Sequence, residues 1–141
     1  MESKRQHPYT FVHLQPDESV ISSLKTICKN HSIQNAVIIS GIGQLKNISL
    51  GYFKEKGNYS PQIFSQPHEL LNLTGTLIAQ NDEIIPHLHV VIGDENKQTF
   101  GGHLLDATVE ITNEIVILDI PLNVSRTLSD NTGLMELTLS S

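Results

Sequence analysis

Three histidines carry the clearest chemistry in this chain. His87-Leu88-His89 is followed by Phe100-Gly101-Gly102-His103. Side chains two apart on a strand share a face, so His87 and His89 point one way and Leu88 the other. A hairpin return brings His103 beside them. Three imidazoles converging from a rigid sheet suit a zinc-like divalent ion that keeps a coordination position open for water or a ligand. A His-x-His pair alone is ordinary polar surface of an exposed strand. The third histidine, at hairpin-compatible spacing, turns the pair into a candidate ligand set. The spacing matches neither the common zinc-protease nor the zinc-finger pattern.

Positioning these rings requires a β-hairpin. Pro86 precedes an apolar run, and β-branched Val90, Val91 and Ile92 favour a strand. Gly93-Asp94-Glu95-Asn96-Lys97 has turn chemistry. Gln98 to Leu105 then resumes an extended pattern, with Gly101-Gly102 leaving the backbone free to bend or to be approached closely.

Elsewhere the pattern is mostly strand. Tyr9 to Gln15 alternates and reads as the first strand, stopped by Pro16-Asp17. Asp17 is the expected N-cap of a helix with Glu18 in its first turn. Val20, Ile21, Leu24, Ile27 and Cys28 recur at helical spacing to about Asn30. Ala36 to Ser40 is a buried strand ending in Gly41-Ile42-Gly43. Lys46 stands where a dinucleotide loop needs its third glycine, so a glycine-bent strand corner is expected. Ile48 to Phe53, Tyr59 to Ser65 (pushed to an edge by Pro61) and Glu69 to Ala79 (bent at Gly75) continue the series. Ala107 to Ile111 and Glu114 to Ile120 give one or two more strands. The tail, 121–141, reads as irregular, with Leu134 to Leu139 able to pair at an edge. The expected fold is α+β: one domain, 1–141, with its core about 8–120, a mostly antiparallel sheet of about seven to nine strands, and one main N-terminal helix covering one face.

Composition narrows the function. The 141 residues suffice for one domain with a real core. Hydrophobic content is 38%, charged content 17% and the net charge −6. That balance argues against a stand-alone nucleic-acid binder, which neutralises phosphates with Lys and Arg. The single cysteine, Cys28, cannot form an internal disulfide and reads as a small core residue. No apolar run approaches membrane-spanning length, and the opening Met1-Glu2-Ser3-Lys4-Arg5 does not lead into a signal peptide, so a cytoplasmic protein with no membrane contact is expected.

Ala36-Val37-Ile38-Ile39-Ser40-Gly41-Ile42-Gly43, Leu50-Gly51-Tyr52-Phe53, Glu69-Leu70-Leu71-Asn72-Leu73-Thr74-Gly75-Thr76, Pro86-His87-Leu88-His89 and Phe100-Gly101-Gly102-His103-Leu104 occur in the order seen in one family. From Tyr9 to the Arg126…Asp130…Gly133-Leu134 tail, the chain resembles the "plants and prokaryotes conserved" (PPC) domain, found also beside AT-hooks in plant nuclear proteins. The resemblance implies a compact α+β fold and a homotrimer. It also implies membership of the metal-binding prokaryotic branch, with His87, His89 and His103 as ligands. Bacterial members carry a DNA-binding label that traces to the plant proteins. The Arg-Gly-Arg-Pro core of an AT-hook is absent here.

Two function classes follow. One is a trimeric metal-binding domain that binds a small molecule or protein partner in regulation. The other is a small zinc-dependent enzyme acting on a carbonyl or carboxylate substrate, by similarity to acetolactate decarboxylase, which also has a three-histidine zinc site. Glu69, where the family pattern has Glu, is the candidate acid or base. Tyr52 and Lys46 are further candidates for lining the pocket.

Overall fold

A computed structural model describes residues 1–139. Nine strands and one helix follow in the order β1 (Glu2–Gln6), β2 (Tyr9–Leu14), α1 (Val20–Asn30), β3 (Asn35–Glu55), β4 (Asn58–Phe64), β5 (His68–Gln80), β6 (Glu83–Gly93), β7 (Thr99–Asp119), β8 (Val124–Leu128) and β9 (Met135–Leu139). Seven strands form one sheet in the order β1-β2-β7-β6-β5-β3-β4, and β3 also pairs with β7. That extra ladder closes β7, β6, β5 and β3 into a ring. β2 with β1, and β4, extend from it as flaps. Every pairing is antiparallel.

The core is apolar and lies inside the ring, where Ile38, Leu45, Leu73, Leu77, Leu88, Ile92, Val109 and Ile117 are buried. The helix α1 adds Val20, Leu24, Ile27 and Cys28 to that core and packs on β6 and β7. Each such aliphatic side chain contributes about 1.5–3 kcal/mol of transfer free energy. The apolar stripe of the helix is thus packed into that same core.

Several local expectations change. Ser19, not Asp17, caps α1: its Oγ accepts from the Ser22 amide at 3.2 Å and donates to the Asp106 carboxylate at 3.1 Å. Asp17 instead takes a left-handed backbone (φ 68°) and receives Lys46 Nζ at 2.8 Å. Glu18 lies outside the first turn, and its carboxylate binds the Met1 amino group at 2.6 Å. Gly41-Ile42-Gly43 does not end a strand, because β3 runs on through it. Gly43 (φ 150°) absorbs the bend where a Cβ would lie 2.1 Å from the Thr112 carbonyl oxygen on β7. The stretch expected as one or two strands from Ala107 to Ile120 is a single strand to Asp119, the second half of β7.

The tail is not irregular. β8 and β9 pair in a sheet of their own rather than at an edge of the main one. Arg126 of β8 pins this hairpin to the ring: its guanidinium donates to Thr76 Oγ1 on β5 and to the Met135 carbonyl, both at 2.8 Å. β1 also escaped the sequence pattern. It is polar throughout, and its Arg5 is held by the Asp119 carboxylate at the end of β7. Among the described residues, no helix is long and apolar enough to cross a membrane.

Candidate metal centre

Backbone register assembles the three histidines. On β6, His87 lies opposite Thr76 and His89 opposite Thr74 of β5. On its other side His89 lies opposite His103 of β7. Leu88 and Leu104 alternate with these rings and are buried, so all three imidazoles stand on the outer face of the ring of strands.

The approach depends on Gly75. It pairs with Leu88 at φ 142°, and a Cβ there would meet the His87 carbonyl oxygen at 2.1 Å. β5 can therefore follow β6 closely at this point only without a side chain. A second close approach involves Gly51, the β3 partner of His103. The Tyr59 ring occupies the space of its missing Cβ, which would lie 2.0 Å away. From there the Tyr59 ring meets His103 edge-on at 5.8 Å.

The ring centroids are 5.2 Å apart for His87–His89, 5.2 Å for His87–His103 and 5.5 Å for His89–His103. One nitrogen from each ring falls within 4.8 Å of the others, so the group could hold a metal ion. The Nε2 atoms of His87 and His89 are 3.3 Å apart. Tetrahedral zinc with bonds of about 2.0–2.1 Å separates neighbouring ligand atoms by about 3.4 Å. The donor set therefore fits such an ion without rearrangement of that pair.

The surroundings of His103 and His87 disfavour their protonated forms, and an imidazole must be unprotonated to ligate a metal. Burial, then the charges of His87, His89 and Arg126, pushes His103 from 6.5 down to about 4. His87 is lowered by burial first, then by Arg126 and His89.

Three side chains around the rings were given no role by the sequence pattern, Arg126 standing only among the tail residues of the family resemblance. Tyr59, Arg126 and Glu136 join His87 and His103 around a cleft of about 440 Å³, walled by Ile85, Pro86, Leu134, Met135 and Leu137. Tyr59 comes from an edge strand, and Arg126 and Glu136 from the tail hairpin. Only tertiary structure brings them together.

The other candidates stand elsewhere. Glu69 faces Gly93 and accepts from Gln44 Nε2 at 2.8 Å. It lines a different cavity, with His68, Phe64 and Phe100. Thr74, opposite His89, is five residues further along β5, about 16 Å at the usual strand rise. Lys46 is bound between Asp17 and Glu110, 2.8 Å from each. Tyr52 is 69% exposed, on the face opposite Gly51.

The chain is similar to several known proteins in sequence and in fold. Bifunctional protein GlmU from a Synechococcus strain is 29% identical over 128 residues, covering 89% of this chain and 19% of that protein. The chain thus spans about a fifth of the length of the curated relatives it matches. A candidate DNA-binding protein from Bacteroides thetaiotaomicron superposes with a TM-score of 0.91 at 27% identity, covering 98% of this chain and 96% of the other. A plant- and prokaryote-conserved protein from Pyrococcus horikoshii gives 0.81 at 28% identity with the same coverage. A metal-containing protein from Archaeoglobus fulgidus shares the fold at 23% identity, with a TM-score of 0.84 over 97% of this chain and 95% of that one. The family model of the Plants and Prokaryotes Conserved (PCC) domain matches residues 1–121. The chain belongs to the Plants and Prokaryotes Conserved domain family.

Proposed function

We propose that this protein is a trimeric, metal-binding regulatory domain in which His87, His89 and His103 hold a divalent ion, zinc in the first instance. The observation that carries this is the convergence of one nitrogen from each ring within 4.8 Å. An ion held by three neutral imidazoles keeps a position open for a ligand, and the adjoining cleft supplies room for one. The A. fulgidus relative, itself metal-containing, agrees with this reading. Self-association is supported by large apolar side chains left exposed on a single chain: Phe11 (63%), Ile63 (73%), Ile111 (60%) and Tyr52 (69%). Regulation then proceeds through a bound small molecule or protein partner.

Direct DNA contact, the label of the B. thetaiotaomicron relative, is disfavoured by a net charge of −6. No DNA binding is expected at physiological ionic strength. Elemental analysis of protein purified without added metal, combined with solution mass, tests the main reading. One ion per chain in a trimer is expected, with the ion lost in His89→Ala. A metal-free wild type, or a variant retaining its full metal, contradicts the assignment.

A second reading, a small zinc-dependent enzyme, is favoured by the same open position beside a cleft. Bound zinc would polarise a carbonyl or activate water there. Glu69 is its candidate acid or base. Because Glu69 lies apart from the imidazoles of its own chain, it would have to reach a site from a neighbouring copy. Metal-dependent turnover of 2-keto or 2-hydroxy acids, lost in Glu69→Gln, would establish this reading; turnover unaffected by that change removes Glu69 from it.

A further inference from the structure

Arg126 is only 5% exposed, yet among the described residues no carboxylate forms an ion pair with it. Buried charges are normally paired, because desolvating an unpaired one costs several kcal/mol per ion. The guanidinium donates to two neutral acceptors, Thr76 Oγ1 and the Met135 carbonyl, and among the described residues its Nε has no partner. A neutral amide could pin the β8–β9 hairpin through such acceptors. The positive charge calls for something more. Arg126 also lines the cleft beside His87 and His103. Among the described residues the one carboxylate on that cleft, Glu136, belongs to an exposed residue and is engaged by Thr132 at 2.7 Å.

We infer that the cleft between His87, His103 and the β8–β9 hairpin binds a small organic monocarboxylate, with Arg126 as its charge partner. One buried guanidinium supplies one positive charge, which matches a monoanion. Ile85, Pro86, Leu134, Met135 and Leu137 form walls suited to a hydrocarbon chain rather than to a second anionic group. Glu136 at the rim repels polyanions. The Tyr59 side chain, on the same cleft, adds a phenolic donor. The site rests on the metal reading only for its second contact, since an ion on the histidines would also attract the carboxylate. Arg126 and the apolar walls stand without it.

Calorimetric titration of the purified protein with acetate, butyrate, hexanoate and neutral hexanamide tests the proposal. Hexanoate is expected to bind at least tenfold more tightly than hexanamide. Affinity should rise about fourfold per added methylene until the cleft is filled. Arg126→Gln should weaken hexanoate at least tenfold and leave hexanamide unchanged. Equal binding of the two probes, or binding of neither, overturns the proposal. Should Arg126→Gln fail to fold, Leu137→Glu, which places a carboxylate in the cleft wall, should weaken hexanoate at least tenfold; unchanged binding overturns the site. Chelator-treated protein separates the two readings. A preference for hexanoate that survives chelation but needs Arg126 supports the site whether or not a metal is present. A preference that vanishes on chelation and ignores Arg126→Gln overturns the site and leaves the metal centre intact.

Discussion

His89 and His103 are direct partners across the β6–β7 ladder, their rings 5.5 Å apart and nearly perpendicular at 87°. Strand side chains alternate faces, so a slip of one residue in this register would turn His103 into the core and bring Gly102 or Leu104 opposite His89. The candidate centre is thus a property of strand pairing. It should respond to backbone changes that touch no imidazole.

Gly75→Ala is the first such change. The added methyl must displace the His87 carbonyl, at a position whose φ also disfavours any side chain. A loss of about 2 kcal/mol or more is expected, equivalent to about 4–8 °C in Tm. Gly43→Ala meets a comparable obstacle at Thr112, away from the histidines. Both variants should melt earlier, but only Gly75→Ala should release metal at lower chelator concentrations. Equal metal retention in the two would mean that β5 does not set the position of His87.

Acidification supplies a second prediction. His103 titrates near 6.5 when unfolded but at about 4 in the folded protein. Between these values the unfolded chain holds a proton that the native ring refuses, so stability rises with pH across this window and is lost as pH falls from 6.5 towards 4. His87 is lowered in the same direction, by burial, Arg126 and His89. Urea midpoints of chelator-treated protein at pH 7, 6 and 5 should fall, and fall less steeply in His103→Asn. Identical slopes for the two proteins would refute the assignment of the effect to His103.

Much of this was readable beforehand, for physical reasons. The His87/Leu88/His89 alternation specifies a shared face whatever lies opposite, and the Val90–Ile92 run and the Gly93–Lys97 turn return the chain towards His103. Helix α1 announced itself through the spacing of Val20, Leu24, Ile27 and Cys28. What stayed hidden was non-local. Strand β1, Glu2–Gln6, has no apolar period because it is an outer strand held partly by Arg5 and Asp119. Arg126 and Tyr59 enter the site from a tail hairpin and an edge strand, at separations from the histidines that no local pattern encodes. Ser19 displaced Asp17 as the helix cap because Lys46 and Asp106 offered each a different partner.

Cys28 gives a third prediction. Burial first, then the nearby Asp119 charge, raises its thiol from 9.0 to about 12, against a smaller opposing effect of Arg5. The thiolate is the reactive form. At pH 8 a disulfide reagent should therefore label native protein at least about a hundredfold more slowly than urea-unfolded protein. Rapid native labelling would show that α1 opens away from β6 and β7.

The central claim is that imidazoles 87, 89 and 103 share one cation. Anomalous diffraction from crystals of the protein purified without added metal, collected on both sides of the zinc edge, tests it most directly. A single peak about 2.0–2.1 Å from one nitrogen of each ring is the predicted result. Three rings linked only by hydrogen bonds or water, with no anomalous signal between them even after zinc is supplied, would contradict it.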